Sequence, residues 1–116
     1  MKNLNEFLKS LAARESGGSY TVVNQYGYMG KYQMGELALI DAGYYKRDGS
    51  AKNDWKGEWT GKDGVLSRED FLSRPEAQEN AIRAYVDKQW EYIEKLGLDK
   101  YVGKTLSDLT PEKRTP

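Results

Sequence analysis

At 116 residues the chain is long enough for one modest hydrophobic core and short for two. Its 18 basic and 18 acidic side chains cancel, so the global positive field of a dedicated nucleic-acid binder is missing. Cysteine and histidine are both absent, which removes disulfides, thiol nucleophiles, Ser-His-Asp chemistry and the usual transition-metal ligands, and leaves carboxylates as the acids and bases near neutral pH.

The first predicted element is a helix over residues 4–14. Leu4, Phe7, Leu8, Leu11 and Ala12 fall on one helical face. Asn3 is placed to cap it with Glu6 three residues on, and Gly17-Gly18 stop it. Glu15 and Ser16 then sit on the last turn. From Tyr20 to Gln33 the period changes. Tyr20 to Val23 and Tyr28 to Gln33 read as two short strands around an Asn24–Gly27 turn, an irregular β-hairpin in an otherwise mainly helical (α+β) domain.

A short helix is predicted over Glu36 to Ala42, ended by Gly43. Residues 44–66 are polar, glycine-rich and without period, yet carry Trp55 and Trp59, which argues against disorder. Ser67 to Asp70 opens a short helix around Phe71-Leu72, and Ser73-Arg74-Pro75-Glu76 reads as a second capping box. The longest helix follows, from about Arg74 to Leu96, with a core-facing stripe of Ile82, Val86, Gln89, Ile93 and Leu96 and a stop at Gly97. Thr110-Pro111-Glu112 has the form of a further helix start. The whole reads as a single domain, 1–116. No segment has the length and apolarity of a membrane span, and the amphipathic N-terminus does not read as a signal peptide.

Nine Tyr and three Trp stand against two Phe. Such rings either fill a small core or line a surface for sugars and other amphipathic ligands. Among the acids, Glu15 has the most unusual context: the end of an apolar-faced helix, at the negative end of its dipole, before two glycines. A carboxyl desolvated there resists ionisation, and a protonated carboxyl is what a glycosidic leaving oxygen needs. The plain alternative is an ordinary salt bridge.

Arg14-Glu15-Ser16-Gly17-Gly18, then Asn24, then Gly27-Tyr28-Met29-Gly30-Lys31-Tyr32-Gln33 resembles the catalytic region of the lysozyme-like superfamily. The pattern is closest to soluble lytic transglycosylases and goose-type lysozymes, with a Glu-Ser dipeptide at a helix end and a Gly-x-x-Gly-x-x-Gln-like segment beyond a hairpin. Asn53-Asp54-Trp55, Trp59 to Gly64 and Asp70-Phe71-Leu72 further resemble phage-type peptidoglycan-degrading domains, so the likeness runs from about residue 4 to about residue 103.

The resemblance implies a lysozyme-like fold and cleavage of peptidoglycan glycan strands between N-acetylmuramic acid and N-acetylglucosamine, with Glu15 as general acid/base. It makes Ser16 a support for Glu15 or the substrate, or else a helix-end polar residue. Gln33 contacts an N-acetyl group or hydroxyl, or ties the hairpin down; Tyr28 and Tyr32 stack on sugars. Trp55 and Trp59 are platforms beside the cleft or the cap of a small core. No metal or cofactor is implied. No second carboxylate is identified; Asp41, Asp54, Glu58 and Asp63 are candidates by position alone, so both hydrolysis and transglycosylation stay open. Activity would lie at the bacterial cell wall, reached by a phage or secretion route outside this sequence. The family continues into further helices where this chain stops at Pro116, so the likeness also admits a shortened, non-catalytic structural or wall-binding module. A helical partner-binding domain with an ordinary Glu15 is a third reading.

Overall fold

The computed structural model describes residues 4–49 and 52–96. Among these are four α-helices: α1 (Leu4–Ser16), α2 (Glu36–Asp41), α3 (Arg68–Leu72) and α4 (Pro75–Lys95), with a 3-10 turn at Lys62–Gly64. No helix among the described residues is long and apolar enough to cross a membrane. Asn3, Gly97 and the Thr110–Glu112 segment lie outside the described residues.

The chain divides into two compact units, Met1–Tyr85 and Val86–Pro116. In the second, residues 86–95 continue α4, with Lys88 paired to Glu91 at 3.5 Å and lying over the ring of Tyr92. Burial on α4 is concentrated at Ala77, Gln78, Ala81 and Ile82. The stripe expected beyond them is only half-buried at Val86, Gln89 and Ile93, and Leu96 is exposed.

In the first unit, Leu8 and Ala12 seat α1 while Phe7, on the edge of the predicted face, stays exposed. The helix runs two residues past the expected end and stops at Gly17 and Gly18, both left-handed in φ. Ser67 caps α3 by accepting from the Asp70 N–H at 3.1 Å, and Asp70 Oδ2 accepts from the Leu66 N–H at 2.9 Å. The second capping box does not form. Ser73 closes α3 instead, its hydroxyl donating to the Asp70 carbonyl, and Pro75 opens α4, where a missing N–H is harmless.

The hairpin expected over 20–33 is not seen. Single bridges, Val23 with Met29 and Met29 with Met34, replace a strand ladder. The cause is local geometry: Gly27, Gly30 and Gln33 all have positive φ, which turns the chain out of the extended conformation a ladder requires. Loop 44–60 closes on itself through Lys46 N–H to the Glu58 carbonyl and Thr60 N–H to the Tyr44 carbonyl. Inside it Trp55 and Trp59 stack at 5.5 Å, both edge-on to Tyr45, and Trp59 meets Phe71. The tryptophans thus cap an aromatic core, which also carries Tyr44 and Val65.

Gln78 joins these parts. Almost wholly buried on α4, it accepts from the Lys31 N–H and donates to the carbonyls of Tyr20 and Phe71, each at 2.9 Å. All three bonds go to backbone, the Lys31 N–H and the Tyr20 carbonyl outside any helix and the Phe71 carbonyl at the end of α3, where it also accepts from the Arg74 N–H. Gly30 lies against this amide: a Cβ at that position would overlap Gln78 Oε1, and its φ of 77° already disfavours a side chain.

Candidate active site

Two devices bring the end of α1 against the 27–33 segment. The Ser16 hydroxyl donates to the Lys31 carbonyl at 2.6 Å and accepts from the Gly18 N–H at 3.1 Å. On the far side, Glu79 of α4 accepts from Lys31 Nζ at 2.7 Å, Tyr20 OH at 2.7 Å and Tyr32 OH at 2.6 Å. Burial pushes the Glu79 carboxyl up, but these three donors outweigh it and leave it below the ordinary value. Burial and then the bond to Glu79 push the Tyr32 phenol up to about 12, so it stays neutral at working pH. Lys31 is held well above the usual lysine range, chiefly by its bond to Glu79.

Asn24 shapes the turn between. Its Oδ1 accepts from the N–H groups of Tyr26 and Tyr28, and its backbone N–H donates to the Tyr28 carbonyl. Gln33, held at φ 51°, donates from its amide nitrogen to the carbonyls of Gly30 and Val22 at 3.0 and 3.3 Å. The amide therefore ties the segment down with its nitrogen, whatever its oxygen contacts.

These restraints leave a groove of about 370 Å³, lined by Glu15, Tyr28, Tyr32 and Gln33 together with Leu11, Met34, Gly35, Leu37, Ala38, Asn53, Ile82 and Tyr85. The volume falls in the usual range for small-molecule sites. Four of the five residues singled out in the sequence meet here. Ser16 does not line the groove; its hydroxyl is spent on the helix end and Lys31. Tyr32 is buried with its hydroxyl engaged by Glu79, so it does not present the open stacking face expected of it. Tyr28 keeps an exposed ring. Trp55 and Trp59 belong to the aromatic core and not to this wall.

Among the described residues, Glu15 is the one carboxylate on the groove wall. Of the other acids proposed by position, Glu58 pairs with Lys46, Asp63 accepts from Tyr44 OH and Asn80, and Asp54 caps the Lys56 N–H. Asp41 lies off the groove as well. The burial expected around Glu15 is not found. Its side chain is 41% exposed, with Oε1 3.6 Å from Arg14 Nε, so the chain itself does not strip water from this carboxyl.

Asn53, named only within a segment that carries the resemblance, Ile82, named only on the core stripe, Tyr85 and the start of α2 were not assigned to the site from sequence. Gln33 is followed within three residues by Glu36, so any site at Gln33 had to include that helix start. Asn53 fixes the corner: its Oδ1 accepts from the Glu36 N–H at 2.8 Å and its Nδ2 donates to the Tyr26 carbonyl.

Behind that corner, Glu36 is wholly buried, and Oε2 accepts from the Trp55 N–H at 2.5 Å. Carboxylate oxygens of Glu36, Asp48 and Asp54 all lie within 4.8 Å of one another. Burial raises the Glu36 carboxyl above its ordinary value, and the charges of Asp48 and Asp54 push the same way against the Trp55 N–H.

No family model matches this chain, and no curated protein or solved structure shows significant similarity to it.

Proposed function

We propose that this mainly helical protein is a lysozyme-like domain that cleaves peptidoglycan glycan strands, with Glu15 as general acid/base. The observation that carries the reading is convergence. Glu15, Tyr28, Tyr32 and Gln33, which carry the resemblance across 19 positions of sequence, line one groove. In the proposed reaction the strand lies along this groove over the exposed ring of Tyr28, with Gln33 and Asn53 offering amides to N-acetyl and hydroxyl groups. A bound strand covers the open Glu15 carboxyl and supplies the exclusion of water that the chain alone does not.

Glu15 then protonates the glycosidic oxygen as the muramic C1–oxygen bond breaks. With a single carboxylate among the described residues on the groove, the reading favoured is transglycosylation. The muramic 6-hydroxyl attacks C1, its proton passes to the Glu15 carboxylate, and a 1,6-anhydro sugar leaves with the acid regenerated. Inversion by hydrolysis would need a second carboxylate ~6.5–9.5 Å away, and retention one at ~5–5.5 Å. Among the described residues, no acid besides Glu15 lines the groove to fill either place.

A second reading is a binding module without turnover, and the exposed carboxyl beside Arg14 favours it. Digesting purified peptidoglycan in heavy-oxygen water, with mass spectrometry of the released fragments, separates the cases. Unlabelled anhydromuramic ends are expected. Labelled, reducible muramic ends would overturn transglycosylation while keeping the glycosidase, and intact sacculi with bound protein would leave only the module.

A further inference from the structure

We propose that Glu36, Asp48 and Asp54 form a binding site for a hard divalent cation, Ca²⁺ by its chemistry, that clamps the 46–60 loop to the start of α2. Two observations carry this. The first is the cluster itself: three carboxylates from two separate parts of the chain, with an oxygen of each no more than 4.8 Å from the others. The second is an unmet need at its buried member. Glu36 is 0% exposed, Oε2 is taken by the Trp55 N–H, and Oε1 is buried with no hydrogen-bond partner. A buried carboxylate oxygen without a donor is costly, and a cation removes that cost while also screening the repulsion among the three acids.

The donor set selects the ion. Three carboxylates with no nitrogen or sulfur suit a hard cation over a transition metal. Oxygen separations of this size match metal–oxygen distances of ~2.3–2.6 Å, and Ca²⁺ accepts the irregular geometry that a loop supplies, whereas Mg²⁺ demands a near-ideal octahedron. Backbone carbonyls and water complete its usual six to eight oxygens. The consequence reaches the groove. Asn53 and Gly35, both on its wall, are the chain neighbours of Asp54 and Glu36. An ion held by those two acids fixes the corner that Asn53 makes with the Glu36 N–H.

The test needs no glycan and no activity, so its failure leaves the reading of the groove standing. Tb³⁺ stands in for Ca²⁺ and is excited through Trp55, whose backbone N–H touches Glu36. The expected result is sensitised terbium emission that Ca²⁺ displaces, together with a rise in Tm of roughly 5 °C when Ca²⁺ exceeds its Kd about tenfold. Asp54→Asn, at an exposed position whose Asn Oδ1 still accepts from the Lys56 N–H, should keep the fold and weaken binding at least ~10-fold. Glu36→Gln should do the same, with Asp54→Asn deciding if that variant does not fold. Absence of both emission and Tm shift at millimolar ion would overturn the site and assign the orphan oxygen to a proton shared between the acids. Emission unchanged in Asp54→Asn would place the ion elsewhere and overturn it equally.

Discussion

Tyr32 lines two cavities of equal size, about 370 Å³ each. One holds Glu15, the other Glu79, and the two acids could hardly be placed more differently. Glu79 is surrounded by Lys31, Tyr20 and Tyr32, every one a donor, and only 27% of its side chain meets solvent. Glu15 has a single neighbour of opposite charge at 3.6 Å and an open carboxyl. An acid saturated with donors is committed to one geometry and one charge state, which suits a fastener. An acid with unspent lone pairs beside apolar walls and amides is the one left for a ligand. The contrast teaches that chemistry in this protein is to be sought where hydrogen bonding is incomplete, with the stability of the same segment residing next door.

Four substitutions sharpen or break that contrast. The largest effect is expected from Glu15→Gln. The amide keeps the size of the acid but cannot give a proton to a leaving alkoxide, so peptidoglycan clearance should fall ~10²–10⁴-fold. Its Tm should match the parent within a degree or two, because nothing buried depends on this side chain. Near-normal clearance would move the acid elsewhere.

Gly30→Ala should do the reverse. The left-handed φ and the overlap with Gln78 Oε1 together cost about 2–4 kcal/mol, read as a lower urea midpoint. A midpoint within experimental error of the parent would mean that Gln78 does not hold the 20–33 segment as described.

Glu79→Gln comes next, at roughly 2 kcal/mol and about 10 °C in Tm, since three donors lose their charged acceptor. The sign of its pH dependence is fixed. The folded-state carboxyl lies below its unfolded value of 4.5, so its contribution is complete above that value and is lost as pH falls through the lower, folded one. Urea midpoints measured from pH 7 down to pH 3 should therefore drop more steeply for the parent than for Glu79→Gln. Parallel curves would remove Glu79 from its role as fastener. The smallest effect is expected from Tyr28→Ala. Loss of an exposed ring at the groove should weaken glycan binding by ~1 kcal/mol, a roughly fivefold rise in KM with kcat little changed; an unchanged KM would take Tyr28 out of the binding surface.

Much of this arrangement was legible in the sequence, for identifiable reasons. The helix bearing Glu15 followed from its apolar face and the Gly17-Gly18 stop, α2 from its glycine boundary, and α3 from the Ser67 cap, all of them local signals. The helical character of the chain followed from these. What stayed illegible was set by distant partners. Positive φ at Gln33 cannot be read from a glutamine, and with Gly27 and Gly30 it turned an expected hairpin into a knot of single bridges. Gln78 lies within the predicted 74–96 helix, where nothing local announces the three backbone groups 7 to 58 positions away that it holds. The resemblance put Ser16 beside Glu15 or the substrate, or else at the helix end, and Tyr32 on sugars; Ser16 takes the helix-end role with its hydroxyl on Lys31, and the Tyr32 hydroxyl is held by Glu79. The likeness to phage-type domains drew attention to Asn53-Asp54-Trp55 but not to Glu36, which lies 18 positions from Asp54 and whose burial no local pattern announces.

The proposed function puts the glycan in the Glu15 cavity and not in the Glu79 cavity. It is tested most directly by an NMR titration of the uncleaving Glu15→Gln protein with a short N-acetylglucosamine–N-acetylmuramic acid oligosaccharide. Saturable amide shifts are expected at Tyr28, Gln33, Gly35 and Asn53, with Lys9, Ala13 and Arg83 on the Glu79 side unmoved. Shifts confined to that second set, or none at saturating oligosaccharide, would contradict it.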